Sequence, residues 1–306
     1  MNIDFVGGVI MNPLIKFIGE TEGPMSFKAI KGVGFYLKQI IVFSLLILWA
    51  LFTIIPLYWM FILSFKNPNT LNIHFSLIPR EFSLESYKYF FTSNKYVWRW
   101  LFNSLFIAST ITISNVIFAS MAGYAFSKLD FPGRDTIFWI LMCTIMIPGQ
   151  VTLVPLYVLV VNKFNMADTY YAIILPALVS TYYIFLMRQH LSSIPSDLIA
   201  AARIDGCSEF GIYRRIILPL AKPGLAVVAI FCFVGHWNEF FWPFLVTQST
   251  PMRTIQVGLA SFKFAESTQY APMMAGAVIA SIPMFILFFS CQKYFLQGIT
   301  IGAIKG

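Results

Sequence analysis

Apolar residues along this chain fall into long, nearly unbroken runs parted by short polar stretches, covering residues 40–65, 100–126, 136–161, 170–187, 224–246 and 272–295. An α-helix rises about 1.5 Å per residue, so roughly 20 apolar residues cross the ~30 Å hydrocarbon layer of a bilayer. Lipid offers no partner to a bare N–H or C=O, so each run reads as a helix. The pattern therefore predicts an all-α integral membrane protein with six transmembrane helices. The third run contains Pro148-Gly149-Gln150 and Pro155. Proline removes a backbone donor that lipid cannot replace, so this span should be kinked or split, with the break packed on protein or lining a cavity.

The flanks divide the chain into an N-terminal segment 1–39, a membrane domain 40–296 with a conspicuous loop at 196–223, and a tail 297–306. The start lacks the basic region and small-residue cleavage pattern of a signal peptide. Val6, Ile10, Leu14 and Phe17 recur at helical spacing. An interfacial helix and a flexible tail both fit that pattern.

Composition agrees with the pattern. Hydrophobic residues make up 58% of the chain and charged ones 11%, against roughly 25% charged in a soluble domain. The net charge of +8 has a topological reading. With the N-terminus inside, 13 of the 21 Lys and Arg fall in inner segments and 8 in outer ones, which puts both termini in the cytoplasm of a multi-pass plasma (inner) membrane protein. No basic run with interleaved aromatics exists, so nucleic acid is excluded as a partner and membrane lipid is the surrounding medium. Cys143, Cys207, Cys232 and Cys291 are scattered without metal-ligand spacing and read as free thiols.

Catalytic chemistry is missing. There is no phosphate-binding glycine loop, no H-E-x-x-H and no G-x-S-x-G, and His74, His190 and His236 are far apart. The chain reads as a non-enzyme that binds no cofactor or metal itself. Within the spans Glu239 is the exceptional charge; mid-membrane it costs about 2.5–3.5 kcal/mol, so it should face a wet pathway, a partner or the outer interface. Beside it, Trp237 and Asn238 suit a sugar, an aromatic face for C–H groups and an amide for hydroxyls. Asn103, Asn115, Gln150 and Tyr182 are further polar groups that line a pathway or bind helices together.

The loop 196–223 reads as two short helices joined at an elbow. Ser196 is placed to cap the first, with Asp197 in its first turn; Ala200, Ala201 and Ala202 favour helix. Gly206 suits a left-handed stop, Ser208 a second cap, and Pro219 ends the second helix. An ordinary solvated loop and a docking element both fit these signals.

Ala201-Ala202-Arg203-Ile204-Asp205-Gly206, Tyr213, Leu218-Pro219 and Pro223 resemble the coupling-loop signature of ABC-importer permeases, whose Glu-Ala-Ala pattern is followed by Gly and, thirteen residues later, by Leu-Pro. Ala200 stands where that pattern has Glu. The resemblance extends to Asn103-Ser104-Leu105, Ala119-Ser120-Met121-Ala122-Gly123-Tyr124, Phe131-Pro132-Gly133-Arg134, Trp237-Asn238-Glu239-Phe240-Phe241-Trp242-Pro243 and the ending from Gln297. Roughly residues 40–306 resemble the six-span subunit of carbohydrate-uptake (maltose-transporter type) permeases. The resemblance implies a type I permease fold, with a coupling helix between spans 4 and 5. It also implies a second related permease completing a heterodimeric pore, an ATPase dimer holding ATP and Mg, and an extracytoplasmic solute-binding protein.

Overall fold

The computed structural model describes residues 33–68, 82–264 and 270–303, with side chains for 37–68, 82–261 and 270–291. The periodic stretch from Val6 to Phe17, His74 and the last residues of the tail lie outside the described residues. The chain divides into two compact units, Met1–Pro56 and Leu57–Gly306. The described part of the first begins helix α1 (Val33–Ser64), where Leu45, Trp49 and Phe52 are all exposed. So exposed an apolar stretch is at equilibrium only in an apolar solvent.

In the second unit, α2 (Glu85–Ser93) precedes the long α3 (Val97–Lys128). Next come α4 (Arg134–Ile145) and α5 (Gly149–Tyr157), which continues as a π-helical turn, Val158–Lys163. Helix α6 (Tyr170–Ile174) runs into a 3-10 turn, Leu175–Ala177, before α7 (Thr181–Ser192). The elbow is α8 (Ser196–Ile204) and α9 (Glu209–Ile212), the latter extended through Tyr213–Ile217 and Leu218–Leu220. The chain closes with α10 (Lys222–Asn238), α11 (Phe241–Val246), α12 (Ile255–Phe264) and α13 (Tyr270–Ala303). No strand occurs among the described residues.

Helix α3 is the hub, packing chiefly on α7 and α10, while α13 packs on α10 and α2. Gly123 sets the α3–α7 approach: a Cβ there would lie 2.7 Å from the Met187 Cβ. Such small-residue contacts bring helices together where lipid supplies no hydrophobic drive. Ile111, Met187, Leu191 and Ile217 fill the larger core, and Phe90, Trp100 and Trp237 a second cluster.

Among the described residues four stretches are long and apolar enough to cross a membrane, and two bent helix pairs bring the number to six when each pair is counted as one span. Three expected spans are not continuous. The third splits into α4 and α5, bent by 88°, at the Pro148 break. The fourth breaks between Ala177 and Thr181, following Pro176. Asn115 repairs this break: its Nδ2 donates to the Ala177 carbonyl (2.8 Å) and its Oδ1 accepts from the Ser180 N–H (2.8 Å), while Ser114 Oγ donates to the Leu178 carbonyl (2.6 Å). Side chains from a neighbouring helix thus satisfy backbone groups that lipid would leave bare. The fifth, expected as one helix to residue 246, ends at Asn238; Glu239 is extended (ψ 123°) and α11 starts afresh.

Candidate functional site

The elbow between α8 and α9 turns at Gly206, whose φ of +80° lies in the left-handed region. Ser208 caps α9, its Oγ accepting from the Gly211 N–H at 3.2 Å. Ser196 does not cap α8: the cap position is Pro195, and Ser196 is already helical with no side-chain capping bond. Proline fixes the entry dihedral but carries no acceptor side chain, so α8 begins without a side-chain cap. Pro219 does not end the second helix, which continues to Leu220 before the chain bends by 76° into α10.

A hydrogen-bonded brace ties the elbow to α3. Arg203 Nε donates to Glu209 Oε1 (2.7 Å) across the turn, and Tyr124 Oη donates to Glu209 Oε2 (2.8 Å). The Tyr213 hydroxyl lies 2.7 Å from Ser120 Oγ, and the rings of Tyr124 and Tyr213 are 5.7 Å apart. Lys128 Nζ donates to the Ile194 carbonyl just before α8. The Arg203 and Tyr124 bonds hold Glu209 below the usual carboxylate range. An exposed ion pair adds about 0–1 kcal/mol, so the brace fixes direction more than stability. Ala200, Ala201 and Asp205 are exposed, whereas Ala202 and Tyr213 are buried against the bundle. The tip presents Ile204 at 87% exposure and Phe210 at 65%.

Residues expected along a pathway separate into two groups. Asn103 is fully buried, its Nδ2 donating to the Pro251 and Arg253 carbonyls (2.9 Å each) and its Oδ1 accepting from Tyr170 Oη. With Asn115, it is fully occupied holding helices and loops together. Trp237 is interior, its Nε1–H donating to the Ala280 carbonyl (3.0 Å) and its ring stacked on Phe233. Helical phase turns it away from Asn238, which is exposed, donates to the Val234 carbonyl and accepts from Gln256 at 3.4 Å. Gln150 and Tyr182 are exposed, on α5 and α7.

Glu239 sits at the α10–α11 break. Its Oε1 accepts from the Phe241 and Trp242 N–H groups (3.0 and 3.2 Å), capping α11. It also lines a cavity of about 180 Å³ together with His236, Trp242, Ser104 and Thr254. His236 Nδ1 lies 2.8 Å from the Cys232 carbonyl. A carbonyl only accepts, so Nδ1 carries the proton and Nε2 is left for another partner. Trp242 Nε1–H donates to the Ala172 carbonyl (3.0 Å), which fixes the indole in the wall.

Residues 115–301 match the family model described as the binding-protein-dependent transport system inner membrane component. The chain belongs to this family. The permease is 37% identical over 260 residues to an arabinooligosaccharides transport system permease protein of Halalkalibacterium halodurans, covering 84% of this chain and 93% of that one. It is 32% identical over 264 residues to an sn-glycerol-3-phosphate transport system permease protein of Brucella abortus, covering 83% and 93%. A solved bacterial ABC transporter involved in the import of the acidic polysaccharide alginate matches in fold, with a TM-score of 0.75 and 22% identity over 89% of this chain and 100% of that one. The permease thus has the expected all-α fold of the type I kind, is an inner membrane component, and is a transport subunit.

Sequence reasoning missed the brace and the cavity of the permease. Tyr124 and Glu209 lie 85 residues apart, and no local pattern signals such a pair. Trp242 could have been found, since it stands in the same aromatic run as Trp237 and Glu239, five residues beyond the first tryptophan.

Proposed function

We propose that this permease is one membrane-spanning half of an ATP-binding-cassette importer for a sugar or sugar-like solute, working by alternating access. The observation that carries the reading is the elbow: a capped, small-residue turn, braced to α3, with apolar Ile204 and Phe210 at its tip. Such a projection fits the groove of an ATPase subunit. Closure of the ATPase dimer on ATP and Mg, which it binds and this chain does not, moves the elbow. The brace passes that movement to the central helix. The shift requires the ATPase to bind the two permease conformations with different affinity. A second, related permease completes the pore, and an extracytoplasmic protein delivers the solute. Both termini face the cytoplasm, on the ATPase side.

Ala200 removes one charged contact from the docking pattern, so docking rests on the Ile204 and Phe210 contacts together with Ala201, Ala202, Asp205, Gly206, Tyr213, Leu218 and Pro219, which shape the elbow. The solutes named for relatives span a neutral class and an anionic one. Purification of the tagged permease from its host should bring down an ATPase subunit, and proteoliposomes of that complex should take up solute only with ATP and the binding protein. Uptake by the permease alone in ATP-free vesicles would overturn the reading.

A further inference from the structure

We propose that the cavity at the α10–α11 break is a subsite for one uncharged sugar ring, and that Glu239 makes the permease selective for neutral over anionic solutes. The inference rests on the importer reading and adds the solute's charge class. The cavity holds about 180 Å³, the share of roughly six water molecules, which is small beside the ~300–1,000 Å³ of pockets that enclose a drug-sized ligand. It suits one ring of a longer chain, with the remaining units outside it.

The wall chemistry suits hydroxyls. Glu239 uses Oε1 for the two α11 N–H groups, and no hydrogen bond of Oε2 occurs among the described residues, so Oε2 is placed to accept from a sugar hydroxyl. His236, whose Nδ1 is taken by the Cys232 carbonyl, keeps Nε2 for a sugar hydroxyl, which can donate or accept, and the Trp242 indole gives an apolar wall for C–H groups. Recognition of a carboxylate or phosphate relies on Arg, Lys or converging N–H groups. Among the described residues no Lys or Arg lines this cavity. The two N–H groups at the start of α11, which could have received an anion, are already taken by Glu239. An anionic ring would therefore enter against a fixed carboxylate with no Lys or Arg among the described lining residues to offset it.

The test uses the complete importer, assembled with its own partners, in nanodiscs without binding protein. Arabinobiose and maltose serve as neutral probes and digalacturonate as the anionic one, read by tryptophan fluorescence. The wild-type complex should respond saturably to at least one neutral disaccharide and not to digalacturonate, and Trp242→Phe should lose the response because the reporting indole is gone. In Glu239→Gln, neutral binding should weaken by about tenfold, the scale of one hydrogen bond to a charged group. Digalacturonate should gain relative to it.

Glutamine keeps an oxygen for the two N–H groups, so a purely capping role predicts an unchanged neutral-to-anionic ratio in Glu239→Gln. That outcome overturns the proposal. So does equal digalacturonate binding in the wild type, or no saturable response to either neutral disaccharide up to about 100 mM, the weak end of measurable affinity. ATP-driven uptake is measured on the same preparation. Uptake without the fluorescence pattern removes only the subsite, whereas loss of ATP dependence removes the importer reading.

Discussion

The buried asparagines show how a polar residue in a membrane earns its place through backbone repair. Asn103 holds two carbonyls of the loop after α11 and the Tyr170 hydroxyl. Each such bond contributes about 0.5–1.5 kcal/mol net, and an orphaned buried partner costs about 1–3 kcal/mol. Asn103→Ala should therefore lower stability by about 2–4 kcal/mol, seen as a lower midpoint in thermal unfolding of the detergent-solubilised complex. A midpoint unchanged from wild type would contradict the bonding. These roles were not legible in the sequence, where Asn103, Asn115 and Trp237 look like Gln150 and Tyr182: polar or aromatic groups in apolar runs. Which of them turn inward depends on partners 43 to 150 residues away.

At the scale of the element, the elbow was the most legible part of the chain because its rules are local. Gly206 and Ser208 adopt the conformations that their spacing predicts, while Ser196 was misread because Pro195 already occupies the capping position. Gly206→Leu meets open space but a left-handed backbone, which costs a side-chain-bearing residue about 1–2 kcal/mol. The substitution should leave the permease inserted and reduce solute uptake per ATP hydrolysed; unchanged stoichiometry would remove the elbow from coupling. Ala200→Glu, on the exposed face of α8, should leave co-purification of the ATPase intact. Its loss would show that the docking face lies elsewhere.

The brace also sets a pH response. Glu209 is held below its ordinary range by Arg203 and Tyr124, so its contribution is full above the unfolded carboxylate value, about 4.3, and fades as pH falls through the lowered native value. Protease cleavage at the elbow should thus be flat from neutral pH to about 5 and rise below that. Glu209→Gln should cleave more readily at neutral pH and lose the acid-induced rise; an acid rise equal to wild type in this variant would contradict the brace.

For the whole molecule, the number of spans was legible and their continuity was not. Run length alone separates six membrane crossings, because hydrocarbon thickness fixes how much apolar chain is needed. Breaks at Ala177 and Glu239 depend on which neighbour supplies a donor or acceptor, which no run length encodes. The excess of Lys and Arg in inner segments predicts that a green fluorescent protein fused after Gly306 fluoresces, and that alkaline phosphatase fused after Gln248 is active. The reverse pattern would invert the topology and place the elbow on the wrong side for an ATPase.

The 88° break at Pro148 has a consequence for how the protein is made. Helix α4 has 12 residues, about 18 Å, and cannot reach across the hydrocarbon by itself. Its one fully enclosed side chain, Phe138, lies under the guanidinium of Arg188, 3.8 Å from the ring centre, and α5 encloses none. Arg188 belongs to α7, which leaves the ribosome later. Phe138 is thus held from two sides, by the Phe126 ring of α3, 5.6 Å away and made before it, and by Arg188, made after it, so the enclosure of the third crossing is completed by the fourth.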